Sequence, residues 1–522
     1  MSDGLTGTAR PRRNSGSGLR SLFSRFFSRS TDSSSASSEV LSATSSWQRA
    51  TSAQALLWAS MVAYAAGFAA LSTLRHLSFT TGRFDLGNMV QAVWATAHGH
   101  PLAITDLQGE QISRLGAHVD PILVAFAPLW WLWPSPVMLL TVQAVAVALG
   151  ALPVFWLARK HLVSERAGLG FALAYLLYPA VQWLTLNEFH PVALATPFLL
   201  FAIWYLDEDR LLAFAVFAAA ACLCKEEIPL VVAALGGWYA LARRRRVPGA
   251  VIAVAGIAVA ATAIGVVTPH FNEGASSAFY GRYDEVGGSP RGILETAVTD
   301  PGRLLSVAFD ERGLRYLAEL VLPLALLCIL SPLALVAAPE LAINLLSATP
   351  TQTSIHFHYT AGAIPALVGA SVFGAAFIAR RRPGLAVPLA GLVVLASLVG
   401  NYRLGPLPFW RELPGGETLQ AYATHVSDHD RAAARAVELV PDGVVVSATN
   451  SLGAHLSARR RVLSFPYVRD AQWIAADETQ PGYGDRIAPL ATAVRLARLR
   501  RNPAWKLEFA EDGVLVFRRV GP

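Results

Sequence analysis

A chain of 522 residues that is 53% hydrophobic and only 15% charged, with a mean hydropathy of +0.42, lies outside the range of soluble domains and inside that of multi-pass membrane proteins. Its formal charge of +7 is small, and runs such as Arg243–Arg246 and Arg380–Arg382 end apolar segments, where they set topology rather than bind nucleic acid. The three cysteines, Cys222, Cys224 and Cys328, all lie inside apolar segments, which excludes a disulfide framework or zinc spacing and leaves packing as their role.

The first 50 residues are Ser-rich and polar and read as a disordered, basic cytoplasmic tail, without the apolar core of a cleavable signal peptide. Within them Leu19, Leu22, Phe23, Phe26 and Phe27 share one helical stripe; a short helix on the membrane surface and an unstructured basic tail both fit. Apolar runs then predict about eleven transmembrane helices over residues 51–400. They lie near 54–76, 136–158, 167–186, 192–206, 211–224, 228–242, 248–268, 316–331, 333–347, 359–379 and 384–400. Several of the middle runs are short.

Basic residues orient the spans. The arginines of the tail, Arg159-Lys160, Arg243–Arg246 and Arg380–Arg382 belong on the cytoplasmic side. Residues 77–158 must then make a single net return crossing, so the apolar stretch 119–133 is re-entrant or interfacial. Its Trp130, Trp131 and Trp133 suit a headgroup belt. The unusual polar sequences consequently collect on one face, outside: 77–118, NEFHP at 187–191, KEE at 225–227, the loop 269–315, IHFHY at 355–359, and everything after 401. Residues 401–522 change character. VVVSATN, RVLSFP and WIAAD read as strands, LGAHLSARR and the basic ATAVRLARLRR as helices, and 505–520 as a hairpin turning at Glu511-Asp512-Gly513. That predicts a small α/β extracytoplasmic domain.

Candidate chemistry gathers at the outer ends of the spans. Asp85, in TGRFDLGN, can take a proton from an acceptor hydroxyl, or can cap the helix beginning at Leu86; the residues alone leave both open. His118 and Asp120 in AHVDP, with Glu188 and His190 in NEFHP, have the chemistry of phosphate-binding edges or of satisfied helix ends, and lack a diagnostic metal spacing. No cofactor is indicated, a divalent metal being chemically admissible only. Lys225-Glu226-Glu227 interrupts an apolar run, where charges must pair, line a cavity or form a solvated turn; Lys225 suits a lipid phosphate and a glutamate a sugar hydroxyl. His356, His358 and Tyr359 suit phosphate or sugar contact, or an aromatic belt. The loop 276–290, with Arg282 and a Gly-Gly hinge, suits a binding lid or a flexible connection.

FDLGNMVQAVW, HVDPILVAFAPLWW, NEFHP, CKEE, GRYDEVGGSP, NLLS followed by HFHYTAGAIP, and VSATNSLGAHLSAR occur in that order. They resemble a family of bacterial predicted membrane proteins, the domain-of-unknown-function 2079 family, over roughly residues 75 to 470. That family's architecture in turn is similar to the GT-C class of integral membrane glycosyltransferases. The resemblance implies a plasma-membrane enzyme that moves a sugar from a polyprenyl-phosphate-linked donor, held among membrane lipids, to a cell-envelope glycan, lipid or protein acceptor. It implies Asp85 as the first-loop acid that serves as base or positions the acceptor, and no nucleotide fold. Many class members carry two adjacent acids there. Here Asp85 stands alone, so a second acid would come from Asp106, Glu110 or Asp120. In this reading Lys225, or a protonated His356 or His358, neutralises the phosphate. Two other readings are a transporter or flippase of an amphipathic substrate, which would favour mid-span charges or two repeated halves, and a membrane scaffold with a partner-binding outer domain.

Overall fold

Long apolar runs give the helices, and proline stands at several of the places where they begin or break, among them Pro179, Pro191 and Pro332. The computed structural model describes residues 52–275, 279–413, 425–482, 484–487 and 489–521. The expected tail and its Leu19–Arg29 stripe lie outside these residues, as does the start of the 276–290 loop. Four helices have the length and composition to cross a membrane: Ser52–Leu77, Pro136–Leu162, Arg246–Phe271 and Pro383–Leu404. A fifth span arises if Glu165–Leu177 and Pro179–Leu186 count as one, bent by 49° at Pro179.

Helical segments lie over each of the other expected spans, but they are shorter, so a count of eleven is not reached by length and composition. The segment expected as one span over 316–331 is a helix, Glu311–Val321, followed by 3-10 turns at Leu322–Leu324 and Leu327–Leu330. Between them Ala325 and Leu326 take left-handed backbone angles, just after Pro323. Helices Ile228–Leu241 and Arg246–Thr262 pack almost backbone to backbone. A Cβ on Gly249 would meet Ala240 N at 2.5 Å, and one on Gly256 would meet Pro229 O at 2.6 Å.

Three of the short apolar helical segments, Pro191–Asp207, Ile228–Leu241 and Ala363–Ala379, run between two polar ends. At one end each follows a sequence singled out above: His190, Glu227 or Tyr359. At the other, Asp207 is fully buried and pairs with Lys160 Nζ (2.6 Å), His161 Nε2 (2.9 Å) and Arg243 Nη1 (3.1 Å), while Arg245 pairs with Asp209. The intervening length is roughly 20–25 Å. By the basic-residue rule the Asp207 end is the expected cytoplasmic one.

After residue 425 lies a small mixed sheet. Its strands are β3 (Val446–Ala448), β4 (Val462–Ser464), β5 (Trp473–Asp477), β6 (Trp505–Glu511) and β7 (Val514–Arg519), numbered after a short hairpin of β1 (Ala103–Thr105) and β2 (Gln111–Ser113). The order is β4-β3-β5-β7-β6, with β3 parallel to β4 and β5, and β7 antiparallel to β5 and β6. The β6–β7 turn falls at Asp512 (φ 47°) and Gly513 (φ 80°), the positive-φ pair that a tight hairpin needs. Helix Asp428–Glu438, opened by a Ser427–Asp430 capping box and absent from the sequence reading, buries Ala433 and Ala436 on one side of the sheet. Leu496 and Leu499 of helix Pro489–Leu499 pack on the other with Ile474, Leu515 and Phe517.

The sheet is clamped to the helical body by Arg83, only 1% exposed. Its guanidinium donates to Val462 O (3.1 and 2.8 Å) and Thr105 O (2.7 Å). Gln91 Nε2 donates to Arg460 O at 2.9 Å, and His455 stacks between His76 and Phe79.

Candidate functional site

Asp85 sits in a single wide helical turn, Arg83–Gly87, that leads into helix Asn88–Ala97. The turn's N-terminus is not capped by Asp85. Glu188, from the loop after helix Pro179–Leu186, supplies both oxygens to the Gly82 N–H (3.0 and 3.2 Å) and Oε2 to the Leu86 N–H (2.8 Å). The cap, one of the two roles the sequence left open for Asp85, is therefore made by a residue distant in sequence, and the Asp85 side chain is left 52% exposed. Among the described residues its one side-chain partner is His190, whose Nε2 lies 3.4 Å from Oδ1, while Nδ1 donates to Asn187 O at 2.9 Å. The backbone behind this loop is held by Gln143, which donates to Glu188 O (2.5 Å) and accepts from the His190 N–H (2.9 Å).

From His190 the site runs on through rings. His190 stacks on His358 with centroids 3.8 Å apart, and His358 lies 4.2 Å from Tyr359. Over Tyr359, at 5.4 Å, stands Lys225 Nζ, which pairs with Glu227 at 2.6 Å. Glu226 turns the other way and accepts from His118 Nδ1 and from the Val119 N–H, both at 2.9 Å. His118 stacks on Phe279 (4.7 Å), and the Arg282 guanidinium covers that ring's other neighbourhood at 4.5 Å. His356 packs edge-on against Trp183 and accepts Asn187 Nδ2 on its carbonyl at 2.9 Å. The sequence-selected residues thus join Asp85 in one connected cluster through side-chain or backbone contacts. Asp120 is the exception: buried at 2%, it is fully engaged by Arg114 at 2.6 to 3.0 Å and acts as a brace.

The electrostatics separate the acids. The protein around Asp85 raises the cost of its charge, but the His190 hydrogen bond and the charges of His190, Arg114 and His118 outweigh that and hold it below the ordinary value. Burial, and then the Asp85 charge, push Glu188 up to about 8 against the pull of its backbone N–H bonds. Burial raises Glu226 as well, yet His118 and Lys225 bring it down to about 2. Burial lowers His356 to about 4 and, with neighbouring cations, His358 well below its usual range, so both rings are neutral near pH 7. The expected role of these histidines as cations is corrected accordingly. His356 Nε2 and His358 Nδ1 are buried without a hydrogen-bond partner among the described residues, as is Glu340 Oε2. Arg282 meets no carboxylate among them.

The acid that lies beside Asp85 is Glu188, and the three acids expected as a second one are engaged elsewhere. Asp106 Oδ1 accepts the Glu110 N–H at 2.8 Å, Glu110 pairs with Arg469, and Asp120 is spent on Arg114. Sequence reasoning missed Arg83, Arg114, Gln143 and Glu340. Two of these, Gln143 in TVQAVAV and Glu340 in APELAIN, are lone polar residues inside apolar runs, a signal that was present. Among the described residues no three His, Cys, Asp or Glu side chains form a metal-holding group.

A family model described as a predicted membrane protein (DUF2079) matches residues 75–516. No curated protein matches the chain. Among solved structures, ArnT from Cupriavidus metallidurans in the apo state is similar with a TM-score of 0.44 and 13% identity, covering 88% of this chain and 99% of that one. A likeness that remote carries neither activity nor substrate across.

Proposed function

This chain belongs to the DUF2079 family of predicted membrane proteins, and from that premise we propose that it is a membrane glycosyltransferase, moving a sugar from a polyprenyl-phosphate donor to an acceptor hydroxyl on the extracytoplasmic face. The observation that carries this reading is Asp85: an acid held below its ordinary value, relieved of capping by Glu188, and left half-open beside His190, which stacks on the neutral His358 ring. In the reaction the bond from the anomeric carbon to the phosphate oxygen breaks, its electron pair leaving on the polyprenyl phosphate. The acceptor oxygen forms the new bond to that carbon, and its proton passes to Asp85. The products are the glycosylated acceptor and polyprenyl phosphate.

Each neighbour has a task in this scheme. His190 aims the Asp85 carboxylate. Lys225 is already matched by Glu227, so Arg282, which has no acid partner among the described residues, takes most of the phosphate charge, with Lys225 behind it. His358 and His356 offer neutral ring nitrogens to sugar hydroxyls. The basic Asp207 end faces the cytoplasm, following a tail over 1–50. Residues 51–400 form the membrane domain, built from about eleven crossings of which several are short, and 401–522 the outer domain, oriented towards the acceptor.

The test is transfer of radiolabelled sugar from polyprenyl-phosphate donors to cell-envelope acceptors, in membranes holding equal amounts of folded wild type or Asp85→Asn. Transfer is expected to fall by about 10² to 10⁴-fold in the variant. Equal transfer by both removes Asp85 from the chemistry. Absence of transfer by both, with movement of the lipid-linked sugar across the bilayer, favours the flippase reading instead.

A further inference from the structure

The basic helix Pro489–Leu499 is not used by the proposed transfer site, yet it lines a cavity of its own. Arg495 and Arg498, three apart, share one face of that helix, and Asn502 follows in the turn just beyond its end. With Arg469, Trp505 and Arg519 they surround a cavity of about 350 Å³ on the C-terminal sheet. Each wall is fixed by the fold. Trp505 and Arg519 are directly paired across β6 and β7, and the Arg519 guanidinium lies 5.7 Å from the indole ring. Asn502 spends its Oδ1 on the Ala504 N–H, which leaves its NH₂ as a donor. Arg469 is tied to Glu110 of the β1–β2 turn, next to Gly109.

The charge balance is the telling feature. Arg495 makes only a long bond to Pro466 O (3.4 Å), and neither it nor Arg498 nor Arg519 meets a carboxylate among the described residues. Guanidinium groups gathered around one cavity repel each other, and an anion placed between them reverses the sign of that interaction. Their planar, multi-donor heads match phosphate and carboxylate oxygens. The partly buried indole adds an apolar face of about one sugar ring, and the volume falls within the range of small-molecule pockets. A concave wall with a recessed indole suits a ring-bearing solute better than a flat lipid surface, on which the aromatic side chain would stand proud.

We infer that this cavity is a binding site for an anionic saccharide, a sugar bearing a carboxylate or phosphate, separate from the Asp85 cluster. Sugar ring and charge are read together: the arginines and Asn502 hold the anionic group and Trp505 stacks on the ring. The site does not depend on the transfer chemistry, so its test stands whether or not the proposed activity does.

The experiment is calorimetric titration of the full chain in zwitterionic nanodiscs with four probes: an oligogalacturonate, glucose 1-phosphate, neutral maltotetraose and inorganic phosphate. The charged saccharides are expected to bind at least about tenfold more tightly than maltotetraose or phosphate alone, with affinity falling as salt rises. Arg498→Glu with Arg519→Glu should weaken them at least about tenfold, and Trp505→Leu should erase the advantage of glucose 1-phosphate over inorganic phosphate. Unchanged binding by the arginine variant, or equal binding of maltotetraose, overturns the inference. So does a protein that ignores every probe but binds vesicles containing anionic lipid in an Arg498-dependent way, which would make the patch a membrane contact. Arg498 and Arg519 are exposed, so the double variant is expected to fold; Arg498→Gln with Arg519→Gln serves if it does not.

Discussion

At the scale of single residues, Asp85 and Glu188 show how position divides two carboxylates. Glu188 is buried, bonded to backbone N–H groups and raised to about 8, whereas Asp85 is open and depressed. Near neutral pH the pair therefore carries its charge on Asp85. As pH passes about 8, Glu188 ionises and adds a second negative charge beside Asp85, so under the proposed reaction, which brings a donor phosphate there, transfer is expected to decline on the alkaline side. In Glu188→Gln, which keeps an acceptor for the Gly82 and Leu86 N–H groups, that decline should vanish in a pH–rate profile. The stability sign runs the same way. Between the ordinary value of 4.5 and about 8 the folded state keeps a proton that the unfolded state has lost, so this residue's contribution weakens as pH rises through that window. Asp85 was visible in the sequence because an acid stood alone beside apolar neighbours. The exchange of roles with Glu188 was not, since capping from another segment leaves no local pattern.

At the scale of elements, hydrophobic runs located the helices well, and the breaks were harder. Leu177 to Pro179 is apolar on both sides, so only the proline hinted at the 49° bend, and nothing in LPLALLCIL announces left-handed Ala325 and Leu326. Close packing was equally hidden. Gly249 sits against the backbone of Ala240, while Gly237, in the neighbouring helix, has nothing within 4 Å of a built Cβ. Gly249→Leu should therefore separate the two helices and cost about 1–3 kcal/mol, read as a lower midpoint of thermal unfolding in detergent. Gly237→Ala should be neutral or slightly stabilising by the same measurement.

At the scale of the whole molecule, alternation and turn residues disclosed the C-terminal sheet, but not what it rests on. Arg83 reaches Val462 across 379 positions of sequence, a pairing that no periodicity encodes. The clamp joins the turn holding Asp85 to the edge strand β4, so the two should loosen together. In Arg83→Met the carbonyls of Val462 and Thr105 lose their donor, at a cost of about 2 kcal/mol or more. Amide exchange is expected to rise in parallel over Arg83–Gly87 and Val462–Ser464. Faster exchange confined to one of these segments would show that the clamp does not couple them.

The helical segments between the Asp85 cluster and the Asp207 cluster are about 20–25 Å long, against a hydrocarbon core of about 30 Å. Both ends are polar and pinned by ion pairs, so these segments cannot lengthen to suit their surroundings. Their side chains are mostly buried within the protein, whereas the longer helices Ser52–Leu77, Arg246–Phe271 and Pro383–Leu404 are mostly exposed and, by the proposed membrane reading, meet the lipid. Those longer helices can tilt to suit the thickness around them, so the short segments are insulated from it. Under the proposed reaction, transfer is then expected to stay level between short-chain and long-chain lipids. A strong preference for one chain length would show that the insulation fails.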